Sequence, residues 1–143
     1  MNDKEFCVEA VKIMGYLGVQ PRHIFDKKLR NTFLKMRSRT GMQSKDKERT
    51  IVMNALSYCI SVMERNEPKA RAGDPVTVVD ELNREFGISD YYLSHMLGLP
   101  DNYLGNLTEK DARWNELSQM LADSLAYSVS KSKKALMELS LTC

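Results

Sequence analysis

The sequence predicts an all-α fold on three observations. Apolar residues recur at helical spacing along most of the chain, no alternating run is long enough for a strand, and the glycines stand singly, mostly where an apolar-periodic stretch stops. With 143 residues, 43% apolar and 28% charged, the composition is that of a globular chain forming one domain or two small ones. The expected organisation is a three-helix region over 1–66, a linker over 67–75, a domain of about five short helices over 76–129 and a helical extension over 130–143.

The first helix is expected from Asp3, as N-cap, to Leu17, with Phe6, Ala10, Ile13, Met14 and Leu17 on one face and Gly18 closing it. Gln20-Pro21 turns the chain. A second helix follows from about Arg22 to Thr40-Gly41, carrying Phe25, Leu29, Phe33 and Met36 at helical spacing. Ser44 is the expected cap of a third, with Asp46 and Glu48 in its first turn where they favour the positive end of the dipole. This helix should reach Arg65 or Asn66. Its apolar residues fall on two adjacent rows, which suits a helix central to a bundle or at a subunit interface.

The next stretch, from Glu67 to Pro75, holds two prolines and a glycine but no large apolar residue, so it reads as a loop and as the domain boundary. Asp74-Pro75 then pairs an N-cap with proline at the first helical position, opening a helix that Gly87 closes. Ser89 caps another, with Leu93, Met96 and Leu97 on one face, and Gly98 stops it. A short helix from Pro100 presents Tyr103, Leu104 and Leu107. Trp114, Leu117, Leu121 and Leu125 mark a closing helix that runs on through Lys131, Lys133 and Lys134 to Leu139.

Leu82, Gly87-Ile88-Ser89, Leu93-Ser94, Leu97-Gly98-Leu99, Leu104 and Leu107 follow one another at the spacing of a helix-turn-helix. On these residues the 76–129 segment resembles the lambda-repressor/Cro-type (XRE-like) family. The resemblance implies a Cro-like helix-turn-helix domain after an N-terminal helical region, with 89–98 as scaffold helix and 100–108 as recognition helix. It implies base contacts from Asn102, Tyr103 and Asn106, since family members read bases from the start of that helix. The family usually has a neutral or basic phosphate-holding donor at the start of the scaffold helix. Here that position is Asp90.

Charge is polarised along the chain. Residues 22–49 hold ten Lys and Arg against three acids, net +7, whereas residues 76–129 hold three against nine, net −6. Duplex affinity comes from basic side chains that displace counterions, so the acidic segment alone should bind DNA poorly. Phosphate contacts are instead expected from Arg37, Arg39, Lys45 and Lys47, with Arg49 in the same basic cluster.

Catalysis has no support in the residues. The two histidines, His23 and His95, lack a neighbouring cysteine or acid at a nucleophile or metal spacing, and no phosphate-cradling glycine loop is present. Cys7, Cys59 and Cys143 fit neither a disulfide framework nor a metal site, and the first two fall on apolar helix faces. No cofactor or metal is expected. The apolar runs are too short to span a bilayer and the N-terminus is unlike a secretory signal, so no membrane association and a cytoplasmic location are expected.

The expected function is that of a sequence-specific DNA-binding regulator of transcription or of a mobile element, acting on double-stranded DNA as a homodimer. The alternative is a non-enzymatic adaptor or inhibitor that meets a protein partner through the acidic 76–129 surface.

Overall fold

The computed structural model is all-α and describes residues 1–38, 46–100, 104 and 113–142. Among the described residues there is no strand. The helices are α1 (Asp3–Leu17), α2 (Pro21–Ile24), α3 (Lys27–Ser38), α4 (Asp46–Arg71), α5 (Pro75–Phe86), α6 (Asp90–Met96) and α7 (Trp114–Thr142). They divide between two compact units, one of residues 1–61 with 128–143, the other of residues 62–127.

In the first unit α1 packs on α3. Its core is built from Phe6, Ile13, Met14 and Leu17 of α1, Phe33 and Met36 of α3, and Val52 and Leu56 of α4, all essentially without solvent exposure. The expected cap at the start of the chain is corrected. Asn2, not Asp3, caps α1, its side chain accepting from the Glu5 N–H at 2.8 Å. Asp3 is fully buried and accepts from Arg49 Nη2 at 3.0 Å. Arg49 also donates to the Met1 carbonyl and stands 5.3 Å from the Phe6 ring centre. Buried carboxylates persist when paired, so Arg49 serves the core and is withdrawn from the basic cluster in which it was expected.

The helix expected from Arg22 to Thr40 is broken. α2 ends at Ile24, Phe25 takes an extended conformation (φ −110°, ψ 136°), and Asp26 restarts the chain by accepting from the Leu29 N–H at 2.7 Å. The break lets Phe25 turn inward against Phe33, ring centres 5.2 Å apart. A continuous helix would fix its direction by the helical period alone. The ends expected at Thr40-Gly41 and the Ser44 cap lie outside the described residues.

The boundary loop is also shorter than expected, because α4 continues through Pro68 to Arg71. A proline inside a helix costs roughly 3 kcal/mol, partly by leaving the carbonyl four residues earlier without a donor. Here Pro68 and Glu64 are solvent-exposed, so water can serve that carbonyl. The extra turn buries Ala70 completely and carries Lys69 and Arg71 to carboxylates of the second unit. Gly73, at φ 92°, then reverses the chain in a conformation that side chains resist.

The second unit follows the expected punctuation closely. Asp74 caps α5, Gly87 closes it at φ 66°, and Ser89 caps α6. Leu82, Ile88, Leu93, Leu117, Leu121 and Leu125 form much of its core. Ser94 is fully buried and its Oγ accepts from the Leu104 N–H at 3.1 Å, fixing the buried Leu104 to α6. Apart from Pro100 and Leu104, the helix expected from Pro100 lies outside the described residues. α7 matches its expected start and runs beyond Leu139, with Ser132 and Leu139 buried within the first unit.

Candidate nucleic-acid interface

The two units carry opposite charge. The first has fifteen Lys and Arg against seven acids, net +8, and the second has six against twelve, net −6. What matters for a polyanion is how many cations are unengaged.

On the first unit, α3 contains Lys27, Lys28, Arg30, Lys35 and Arg37 and no acid, and all five are exposed. None forms an ion pair among the described residues. Arg22 precedes them and Lys47, exposed at the start of α4, stands near. Phe33 and Met36 anchor the opposite face, so the cations sit on a helix held in place by burial. Between α3 and α4 lies a groove of about 370 Å³ lined by Leu29, Ile51, Lys28, Thr32 and Lys47. Asp26 and Glu48 also line it, which makes it less positive than the outer face of α3.

Stability does not account for these charges. Lys35 and Arg37 suit the C-terminal turn, but Lys27 and Lys28 oppose the dipole at the N-terminal end, and Lys27 and Arg30 are like charges three residues apart. Each such placement costs a few tenths of a kcal/mol in an isolated helix.

The second unit contrasts with this. Arg65 and Lys69 of α4 both engage Glu81 of α5, Arg65 through Nε at 2.8 Å and through Nη2, Lys69 at 3.0 Å. Arg71 bridges Glu67 at 2.7 Å and Asp123 at 3.0 Å, and its carbonyl accepts from Gln119. Arg113 pairs with Glu116. Among the described residues here, only Arg84 is an exposed cation without a paired carboxylate. Asp90, at the position where the resembling family holds a phosphate, instead accepts from Asn83 Nδ2 at 2.8 Å and ties α6 to α5.

Glu81 is the most consequential residue that the sequence reading passed over. It is 5% exposed, and the donors around it, Arg65 first, hold its carboxyl well below the usual range, at about 2. The available signal was Arg65 and Lys69, one turn apart on the last apolar-free stretch of α4, which need an acid on the facing helix. A carboxyl whose folded pKa is lowered from 4.5 to about 2 stabilises the fold fully above pH 4.5 and loses that contribution as pH falls towards 2. Both cations are about half exposed, so solvent screening keeps the gain modest. Glu81→Gln should cost roughly 1–2 kcal/mol at neutral pH and flatten the acid dependence between pH 4.5 and 2. The chain's single tryptophan, Trp114, donates from Nε1 to the Gly73 carbonyl at 2.9 Å within the same unit, so its fluorescence during urea unfolding is the readout. An unaltered pH profile would remove Glu81 from this role.

Of the expected site residues, Arg37 and Lys47 are exposed. Arg39 and Lys45, and the base-contacting set Asn102, Tyr103 and Asn106, lie outside the described residues. His95 is exposed. His23 caps α2, its Nδ1 accepting from the Gln20 N–H at 2.9 Å, while burial and then the neighbouring Arg22 lower its pKa. Cys7 and Cys59 are buried as expected, and burial pushes the Cys59 thiol up to about 12, leaving it protonated and inert. No group of histidine, cysteine and acid side chains suited to a metal occurs among the described residues, and no helix there is long and apolar enough to cross a membrane. No family model, curated protein or solved structure matches the chain.

Proposed function

We propose that this protein binds double-stranded DNA as a regulator of transcription or of a mobile element, with its affinity supplied by the first unit. The observation that carries the reading is the set of five exposed cations on an acid-free α3, none in an ion pair among the described residues. Charge of that density on a firmly anchored helix suits phosphate contact, and Lys47 extends it onto α4. The resemblance of residues 76–129 to the Cro-type family assigns base reading to Asn102, Tyr103 and Asn106. The same family precedent suggests a homodimer, because one small module rarely holds an operator alone.

Binding to random and selected duplexes across a salt series tests the reading. Affinity should fall steeply with salt, and Lys47→Ala should weaken all sequences alike and reduce the logarithmic slope by about 1. Absence of duplex binding at low salt would overturn it. The self-neutralised cations of the second unit favour the rival reading for that unit, a surface for a basic protein partner. That reading fails if neutralising Asp90 and Asp101 leaves a complex with a basic protein partner unchanged.

A further inference from the structure

We infer that α3 is itself a groove-entering helix, with Asn31 and Leu34 facing base edges and its cations gripping the two flanking phosphate backbones. The inference rests on the duplex-binding reading and goes beyond it, since the Cro-type resemblance gives base reading to another part of the chain.

The arrangement follows from the helical period. With Phe33 and Met36 facing the core, the outward face is centred on Lys27, Asn31, Leu34 and Ser38. Lys28 and Lys35 lie along one flank of that face and Arg30 and Arg37 along the other. Each flanking pair is separated by seven residues, hence two turns and about 10.5 Å along the axis. A bare phosphate-binding patch needs no such order. Here the central line runs Lys27, Asn31, Leu34 and Ser38, with one amide and one apolar side chain in its middle, and the other four cations stand to either side.

That pattern matches a duplex major groove. An α-helix with its side chains is about 10–12 Å across and the groove is about 12 Å wide, so a helix seated there has one backbone on each flank. Asn31 is exposed and can present its carboxamide to the N6 and N7 edge of adenine. Leu34 is 60% exposed, and a large apolar side chain at the centre of a cationic face is a contact for a thymine methyl group. Among the described residues the Asn31 side chain makes no hydrogen bond and Leu34 joins no core.

The test uses the full chain with a randomised duplex library, the duplex selected from it, and dimethyl sulfate to report guanine N7 in the major groove. Wild type should protect N7 positions within its selected site. Asn31→Ala should cut the preference for the selected over the random duplex by roughly fivefold to a hundredfold at an adenine position while leaving the salt slope unchanged. Arg30→Ala with Arg37→Ala should weaken both duplexes together and reduce the slope by about 2. Both sites are exposed, and helicity by circular dichroism verifies that each variant is folded. Duplex binding with N7 left reactive, or a preference untouched by Asn31→Ala and Leu34→Ala but lost on Asn106→Ala, would overturn the inference and leave duplex binding standing. Tighter binding to single strands or to anionic vesicles than to any duplex would overturn both.

Discussion

Arg49→Met should lower the stability of the first unit by about 3 kcal/mol, as expected when one partner of a buried ion pair is removed. It would take the Arg49 donor from the Asp3 carboxylate, which has no solvent exposure, and remove the donor to the Met1 carbonyl and the cation beside Phe6. The position of Asp3 in the first turn of α1 moderates the cost, because the helix dipole favours an anion there and the helix end can open to hydrate it. The pair is buried, so removing both charges should cost much less than removing one. Asp3→Asn combined with Arg49→Met should recover most of the loss, giving a coupling energy of roughly 1–3 kcal/mol in a double-mutant cycle. Urea unfolding followed by far-ultraviolet circular dichroism measures it. Additive losses from the two substitutions would mean that the charges do not depend on each other.

That pair illustrates what the amino-acid order conceals. Asp3 and Arg49 are far apart in the chain, and each has a sound local explanation: an acid opening a helix, a base in a basic cluster. Only the fold, which sets Arg49 of α4 against the start of α1, reveals that they neutralise each other. The same holds for Glu81, which looks like one acid among many until α4 brings Arg65 and Lys69 to it. Local rules succeeded where the cause is local. Gly18, Gly87 and Gly98 stand at helix ends with positive φ, and Ser89 and Asp74 cap the helices they precede, because caps and left-handed residues act within one turn.

Local rules failed where tertiary contacts compete with propensity. Pro68 argued for a stop, but the burial of Ala70 and the ion pairs of Lys69 and Arg71 carry α4 past it. The periodicity of Phe25, Leu29, Phe33 and Met36 argued for one helix. Asp26 offered a second N-cap inside it, and the chain took that cap so that Phe25 could reach Phe33. For the site, the basic block was legible in composition, while the distinction between engaged and unengaged cations was not. Arg49 left the cluster for the core, and the exposed charges of α3 took on the larger part.

Arg30→Glu with Arg37→Glu should abolish measurable duplex binding at moderate salt, a loss of about a hundredfold or more, with little change in stability. The two changes replace two attractions to phosphate by two repulsions on the same flank of α3, whereas alanine substitution removes the attractions alone. Stability should hold because neither arginine has a carboxylate partner among the described residues. Glutamate at position 30 gains a favourable pairing with Lys27, which offsets the unfavourable placement of an acid in the last turn at position 37. The same reversal at Lys28 and Lys35 tests the other flank and should cost a similar factor if both phosphate backbones are held. A large loss from one flank and none from the other would describe a helix lying against a single strand's backbone. Binding that survives reversal on both flanks would place the affinity outside α3 and remove the physical basis for the proposed function.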